Sequence, residues 1–221
     1  PVGKFDMQDS NCGDWNPYSK YSVGWITPNV IDEEDFNGKT SIDIRIDAFA
    51  ESGDVLLIPA LGYDYNGTPF DEYIMLELFT PSGLYNYVAS GFGLNNTIGV
   101  RMYHVDARHE MRTLTNKEGE SFQIGTIHYS NSTGYNSNEY GYFLIETVQA
   151  DKVNTLTSTN VFGNSIESND FFKQGDTFKM NEYKEFFYEG LMDSWFEFGY
   201  TITIKEINTG ENPYAIITIS K

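Results

Sequence analysis

The sequence is poor in the residues on which several classes of protein depend. Among its 221 residues there is one cysteine, Cys12, and 14 lysines and arginines stand against 32 aspartates and glutamates. A single cysteine cannot form an internal disulfide, and we expect Cys12 to be a small buried hydrophobic residue. The net charge of −18 repels nucleic acid phosphates and anionic membrane surfaces. The composition argues against nucleic acid as a partner and fits a secreted, extracellular protein.

Long apolar runs and common catalytic motifs are also missing. No stretch approaches the roughly 18 apolar residues of a membrane-spanning helix, so we expect no membrane span. The sequence has no phosphate-binding glycine loop, no dinucleotide fingerprint and no nucleophile elbow. It contains His109-Glu110, but Thr113 stands where the zinc motif H-E-x-x-H needs its second histidine. This segment is interpreted as a solvated hairpin.

A two-residue hydrophobic period runs through most of the chain after residue 40. Ile42, Ile44 and Ile46 alternate with polar residues, which predicts a half-buried strand. The segment 73–80 is almost continuously apolar, as is typical of a central strand. Similar patterns predict strands over 55–58, 98–105, 122–129, 142–148, 200–207 and 215–219. The strands and their turn residues predict an all-β fold, an antiparallel β-sandwich with a short N-terminal helical segment.

The helical segment is predicted over residues 14–25. Asp14 is the expected N-cap, Pro17 suits the first turn, and Gly24 with Pro28 ends the helix. The segment 181–190 is a second candidate for a short helix.

Five residues are candidate metal ligands, for calcium or for a structural ion. Asp32, Glu33 and Asp35 belong to an acidic run that offers carboxylate oxygens, although no twelve-residue EF-hand loop is present. His104 and Asp106 lie two residues apart on a predicted strand, so both side chains belong to one face. That pair is interpreted as a ligand pair, as an imidazole supported by a carboxylate, or as purely structural.

Two further sets of residues suggest other functions. Glu77 and Glu146 lie within apolar strands, and a hydrolase dyad would place their carboxylates about 5 to 9 Å apart in an open cleft. The alternatives are carboxylates that bind a metal, that pair with Arg45, Arg101 or Arg108, or that point to solvent. Trp195, Tyr135 and Tyr140 are candidates for an exposed sugar-binding platform, although aromatic strand residues usually pack against their neighbours.

Several short blocks follow one another in a characteristic order. The first are Asp6-Met7-Gln8-Asp9, 14–20 and 24–28, and later blocks include 99–108, 142–146 and 170–176. Their order resembles the immune-inhibitor-A family of secreted bacterial zinc metallopeptidases, in its shorter M6-like branch. The resemblance covers most of the chain.

The resemblance implies a zincin catalytic domain followed by β-rich modules. It places residues 1–30 in a remnant of the catalytic domain, with Asp6-Met7 at a Met-containing turn beneath the zinc, and residues 31–221 in a β-sandwich-rich accessory region. No position matches the H-E-x-x-H helix, so zinc is expected in the parent only, and the chain alone is expected to be inactive.

The expected partners are therefore the missing catalytic domain or a protein substrate. The alternative is an extracellular β-sandwich module that binds a glycan or a cell-surface protein.

Overall fold

The computed structural model describes Val2 and the ranges 13–127, 142–156 and 165–221. The predictions for Asp6-Met7, Cys12, Tyr135 and Tyr140 lie outside the described residues. Within these ranges the chain forms eleven strands, which are β1 (Asn29–Val30), β2 (Ser41–Asp47), β3 (Leu56–Ile58), β4 (Glu72–Phe79), β5 (Gly99–Asp106), β6 (His109–Thr115), β7 (Ser121–Ile127), β8 (Ile145–Val148), β9 (Thr177–Lys179), β10 (Thr201–Asn208) and β11 (Tyr214–Ser220).

The helices of the described residues are short. They are α1 (Pro17–Ser22), α2 (Phe49–Ser52) and α3 (Tyr85–Gly91), with single 3-10 turns at Glu34–Phe36, Ser168–Asp170, Met180–Glu182 and Tyr188–Gly190. None of the helices in the described ranges has the length and apolar character that crossing a membrane requires.

Two sheets form the body of the protein. The larger has the strand order β1-β3-β4-β5-β8, and the smaller has the order β2-β11-β10-β9. The pairings are antiparallel apart from the two-residue pair β1–β3. The strands β6 and β7 form a separate hairpin whose residues are mostly exposed, as the sequence predicted for the segment around His109-Glu110. The prediction of an all-β, sandwich-like fold is confirmed.

The inner core lies between the two sheets and follows from the two-residue period. Ile46 of β2 and Ile217 of β11 are buried, while alternate residues of these strands reach solvent. They meet Leu76 of β4 and Met102 of β5 from the larger sheet. Because β4 and β5 are buried along their whole length, they lack this alternation, which explains the continuous apolar run of the sequence.

An outer core covers the opposite face of the larger sheet. Tyr18 of α1, Phe49 of α2 and Tyr85 of α3 pack with Tyr73 of β4 and Tyr103 of β5. The short helices therefore form a third layer over the central strands. The described part of residues 1–30 is joined to this sheet through β1, and the assignment of residues 1–30 to a catalytic domain stays a prediction.

Two helix predictions need correction. The N-cap of α1 is Asn16, whose Oδ1 accepts a hydrogen bond from the backbone N–H of Ser19 at 2.9 Å, whereas Asp14 forms an ion pair with Lys20 at 2.6 Å. Since proline favours the first helical position, the residue before Pro17 is the natural cap. The segment 181–190 contains no continuous helix but parts of two separate 3-10 turns.

Candidate functional site

A group of buried carboxylates surrounds one histidine on the inner face of the larger sheet. Glu72 of β4 pairs with Asp106 of β5, and His104 of β5 pairs with Glu146 of β8. Directly opposed residues share a face of a sheet, as do residues two apart on one strand. All four side chains therefore point to one face, and each residue is at most 5 % exposed.

Glu72 ties this face to the loop that follows Leu191. Its Oε1 accepts the backbone N–H of Asp193 at 2.6 Å and lies 2.9 Å from His104 Nε2, and its Oε2 accepts the N–H of Ser194 at 2.9 Å. Burial opposes ionisation, but the His104 hydrogen bond and the charges of His104 and Arg108 lower the pKa of Glu72 below its ordinary value. Glu72 is therefore an ionised anchor for this loop.

Asp106 has a different partner from the one expected. Arg108 donates from Nε to Asp106 Oδ1 at 2.8 Å and from Nη2 to Oδ2 at 2.7 Å, a bidentate arrangement. His104 instead contacts Glu72. The two predicted ligands are thus on one face of β5, as expected, but each bonds to a different neighbour, and their role as metal ligands stays a prediction.

Asp193 joins Glu72 and His104 as a third neighbouring residue, and the sequence analysis did not single it out. It is buried, and one ligand atom each of Glu72, His104 and Asp193 lies within 4.8 Å of the others. The Oδ2 atom of Asp193 accepts no hydrogen bond from the described residues. Burial raises the pKa of Asp193 to about 8; the charge of His104 opposes this shift, and those of Glu72 and Asp106 add to it.

The remaining titratable groups respond to the same surroundings. Burial raises the pKa of Glu146 to about 7, although Asn154 Nδ2 donates to its Oε1 at 2.7 Å. Burial alone would lower the pKa of His104, but the charge of Asp193 and the hydrogen bond with Glu72 raise it to about 9. We call Glu72, His104, Asp106, Glu146 and Asp193 the acidic cluster.

The acidic run at residues 32–35 is a solvated turn. Asp35 Oδ2 accepts the backbone N–H of Asp32 at 2.9 Å, and Asp32 Oδ1 accepts that of Glu34 at 2.8 Å. Glu33 pairs with Lys221 at 3.0 Å, and all of these acidic residues are exposed. The calcium prediction for Asp32, Glu33 and Asp35 stays a prediction.

The proposed dyad of Glu77 and Glu146 is wrong. Glu77 pairs with Arg101 in the β4–β5 register, so it faces the outer core, whereas Glu146 faces the inner core. Glu77 lies 3.2 Å from Arg101 and accepts hydrogen bonds from Tyr103 at 2.7 Å and Tyr85 at 2.8 Å. Two buried carboxylates on opposite faces of one sheet cannot flank a substrate.

Two groups of exposed aromatic residues in the described part of the chain bear on function. Trp15 and Trp25 stack with their ring centroids 4.7 Å apart, and Trp25 is 65 % exposed beside the exposed Val23. On the loop that carries Asp193, Trp195 and Phe196 are also exposed. We call the first group the tryptophan surface and the second the loop aromatics.

No family model, no curated protein and no solved structure matches the chain. We therefore describe the class of protein by its fold and its candidate site alone. It is an all-β sandwich with a buried acidic cluster at one end of its inner core.

Proposed function

We propose that the chain is the non-catalytic C-terminal part of a secreted M6-like zinc metallopeptidase. In this role the β-sandwich supports the catalytic domain or helps to bind the protein substrate. The ordered sequence blocks support the family assignment. No H-E-x-x-H segment occurs in the sequence, so the zinc of the parent enzyme has no matching ligand set here, and no catalytic step is assigned to this chain.

The observation that carries this proposal is the tryptophan surface. Trp15, Val23 and Trp25 belong to the segment that the resemblance places at the end of the catalytic domain. A stacked tryptophan pair with one ring 65 % exposed is costly in water, because burying a large aromatic side chain is worth several kcal/mol. A second domain that covers these rings would recover that free energy.

The proposal is tested by binding to an M6-like catalytic domain prepared without its C-terminal region. We expect the full chain to form a complex in analytical ultracentrifugation and to raise the melting temperature of the catalytic domain. The double variant Val23→Ser/Trp25→Ser should bind at least about tenfold more weakly, since central aromatic residues dominate such interfaces. Tyr87→Ser, on the exposed face of α3, is the matched control and should bind normally.

Casein hydrolysis by the chain alone provides a second measurement. We expect none. Chelator-sensitive hydrolysis by the purified chain would contradict the non-catalytic role, and equal binding by the wild type and the double variant would remove the proposed surface.

The loop aromatics favour a second candidate function, the extracellular binding module for a glycan or a cell-surface protein. Trp195 has a left-handed backbone conformation, φ 68°, and is 54 % exposed, with Tyr188 packed edge-on at 6.1 Å. A bulky residue at positive φ is strained, and such strain persists where the surroundings hold it in place. Glycan-array binding that Trp195→Ala abolishes, without binding to the catalytic domain, would favour this function.

A further inference from the structure

The geometry points to a buried zinc site formed by Glu72, His104 and Asp193, independent of any zinc in a parent enzyme. Three separate parts of the chain supply the ligands. Glu72 begins β4, His104 lies near the end of β5, and Asp193 belongs to the loop between β9 and β10. One ligand atom of each lies within 4.8 Å of the others, and the three residues are 1 %, 3 % and 5 % exposed.

The Asp193 carboxylate is the observation that separates this group from an ordinary ion-pair network. Its Oδ2 atom is buried and accepts no hydrogen bond from the described residues. Removing a carboxylate oxygen from water without a compensating partner is costly, since a buried charge is normally paired, hydrogen-bonded or bound to metal. The hydroxyl of Ser194, the next residue, is buried without a described partner as well.

The charges around the site are unbalanced in the direction that favours a cation. The carboxylates of Glu72, Asp106, Glu146 and Asp193 act together on this end of the core, and His104 and Arg108 are the positive groups beside them. Four anions against two cations leave two excess negative charges when every group is ionised. Because a histidine gives up its proton when it binds zinc, the zinc-binding form would have three excess negative charges, and one divalent ion would reduce that excess to one.

The types of ligand favour zinc over calcium. Calcium takes about six to eight oxygen ligands, whereas zinc accepts imidazole nitrogen and carboxylate oxygen with three protein ligands and one further position. Tetrahedral zinc with bonds of about 2.0–2.1 Å holds its ligand atoms about 3.3 Å apart. Since the atoms lie within 4.8 Å of one another, the most widely separated pair would need to close by at most about 1.5 Å.

The surrounding residues fit the role of outer partners. Asp106 is held by Arg108 through both carboxylate oxygens, so it adds negative charge near the site without competing for a ligand position. Glu146, opposite His104 in the β5–β8 pair, accepts a hydrogen bond from Asn154. Carboxylates beside a metal-binding imidazole orient it and strengthen its binding.

Protons are the competing way to neutralise the excess charge. Burial raises the pKa of Asp193 to about 8, and a protonated Asp193 would remove one of the two excess negative charges. The substitution Asp193→Asn separates the two explanations, because asparagine imitates the protonated acid but is a poor zinc ligand.

The experiment is zinc titration of the full chain after removal of metals by a chelator, followed by calorimetry and thermal melting. We expect one zinc ion per chain and a melting temperature raised by about 5–10 °C at a zinc concentration of 100 times Kd. Asp193→Asn and His104→Gln should each weaken zinc binding by about 100-fold or more and lose the thermal shift. Calcium at the same concentration should give no shift.

Asp32→Asn, in the exposed acidic turn, is the matched control and should bind zinc as the wild type does. The inference is overturned if the metal-free wild type binds no stoichiometric zinc, which would leave protons as the neutralising charge. It is equally overturned if both Asp193→Asn and His104→Gln retain wild-type binding, or if Asp32→Asn alone loses it, because the zinc would then lie elsewhere.

Discussion

Arg101 and Glu77 form a buried ion pair in the outer core, and its removal gives a quantitative prediction. Both side chains are fully buried, and the atoms Nη1 and Oε1 are 3.2 Å apart. Replacing Arg101 by methionine leaves the Glu77 carboxylate buried with tyrosine hydrogen bonds alone. We expect the free energy of unfolding to fall by about 3–5 kcal/mol at pH 7, since breaking one partner of a buried pair exposes the full cost of the other charge.

The size of this loss should depend on pH. Burial raises the pKa of Glu77, an effect that Arg101, Tyr103 and Tyr85 oppose. A carboxyl whose folded pKa is raised contributes most stability below its unfolded pKa, and this contribution is lost as pH rises through the folded pKa. Loss of Arg101 raises the folded pKa of Glu77 further, and each pKa unit corresponds to about 1.4 kcal/mol of free energy. The gap between wild type and variant should therefore narrow toward pH 4.

Urea unfolding followed by tryptophan fluorescence between pH 4 and pH 8 measures this gap. Arg45→Met is the matched control, because Arg45 is exposed on β2 and pairs with Asp47, and it should cost less than about 1 kcal/mol. The double variant Glu77→Gln/Arg101→Met should recover at least half of the loss. A gap below about 1 kcal/mol at pH 7, or one that stays constant down to pH 4, would refute the reasoning.

Two further predictions concern packing. Gly199→Ala should lower the free energy of unfolding in urea by more than about 2 kcal/mol, because Gly199 has φ 75° and an added Cβ would lie 2.6 Å from Leu61 Cβ. The control Gly67→Ala has the same φ but open space around the added Cβ, so it should cost only about 1 kcal/mol. Equal losses for the two variants would contradict the role of the Leu61 contact. Phe178→Ala should cost about 3–5 kcal/mol, whereas Phe122→Ala on the exposed hairpin should cost under about 1 kcal/mol, and similar melting temperatures for these two variants would contradict the assigned cores.

The sequence predicted the strands well because their burial is a local property of the pattern. Strand β2 alternates between apolar and polar residues because one of its faces contacts solvent. Strand β4 is continuously apolar because the smaller sheet covers one of its faces and the short helices cover the other. The helix α3 was missed because its N-cap position is Leu84, which makes no side-chain capping bond. The strand β9, with three residues, is too short to show a period.

The candidate site was only half predictable for a related reason. Strand period placed His104 and Asp106 on one face correctly, since that depends on two neighbouring positions. Asp193 and Glu72 are 121 residues apart in the sequence and are joined by a hydrogen bond, and no local motif predicts this contact. The backbone N–H groups of the loop hold Glu72, and only the folded chain brings them to the end of β4. Sequence spacing alone could not have selected Asp193 among so many acidic residues.

The contrast between the two buried polar groups explains why one of them is a candidate site and the other is not. In the outer core, one carboxylate, Glu77, meets one guanidinium, Arg101, and accepts hydrogen bonds from two tyrosine hydroxyls, so the charges of the pair cancel. A pair whose charges cancel needs no counter-ion. In the inner core, the acidic cluster has more anions than cations when every group is ionised, and the Asp193 Oδ2 atom has no described hydrogen-bond partner. A buried excess of negative charge is costly unless a proton or a cation from solution neutralises it. The acidic cluster is therefore the candidate site.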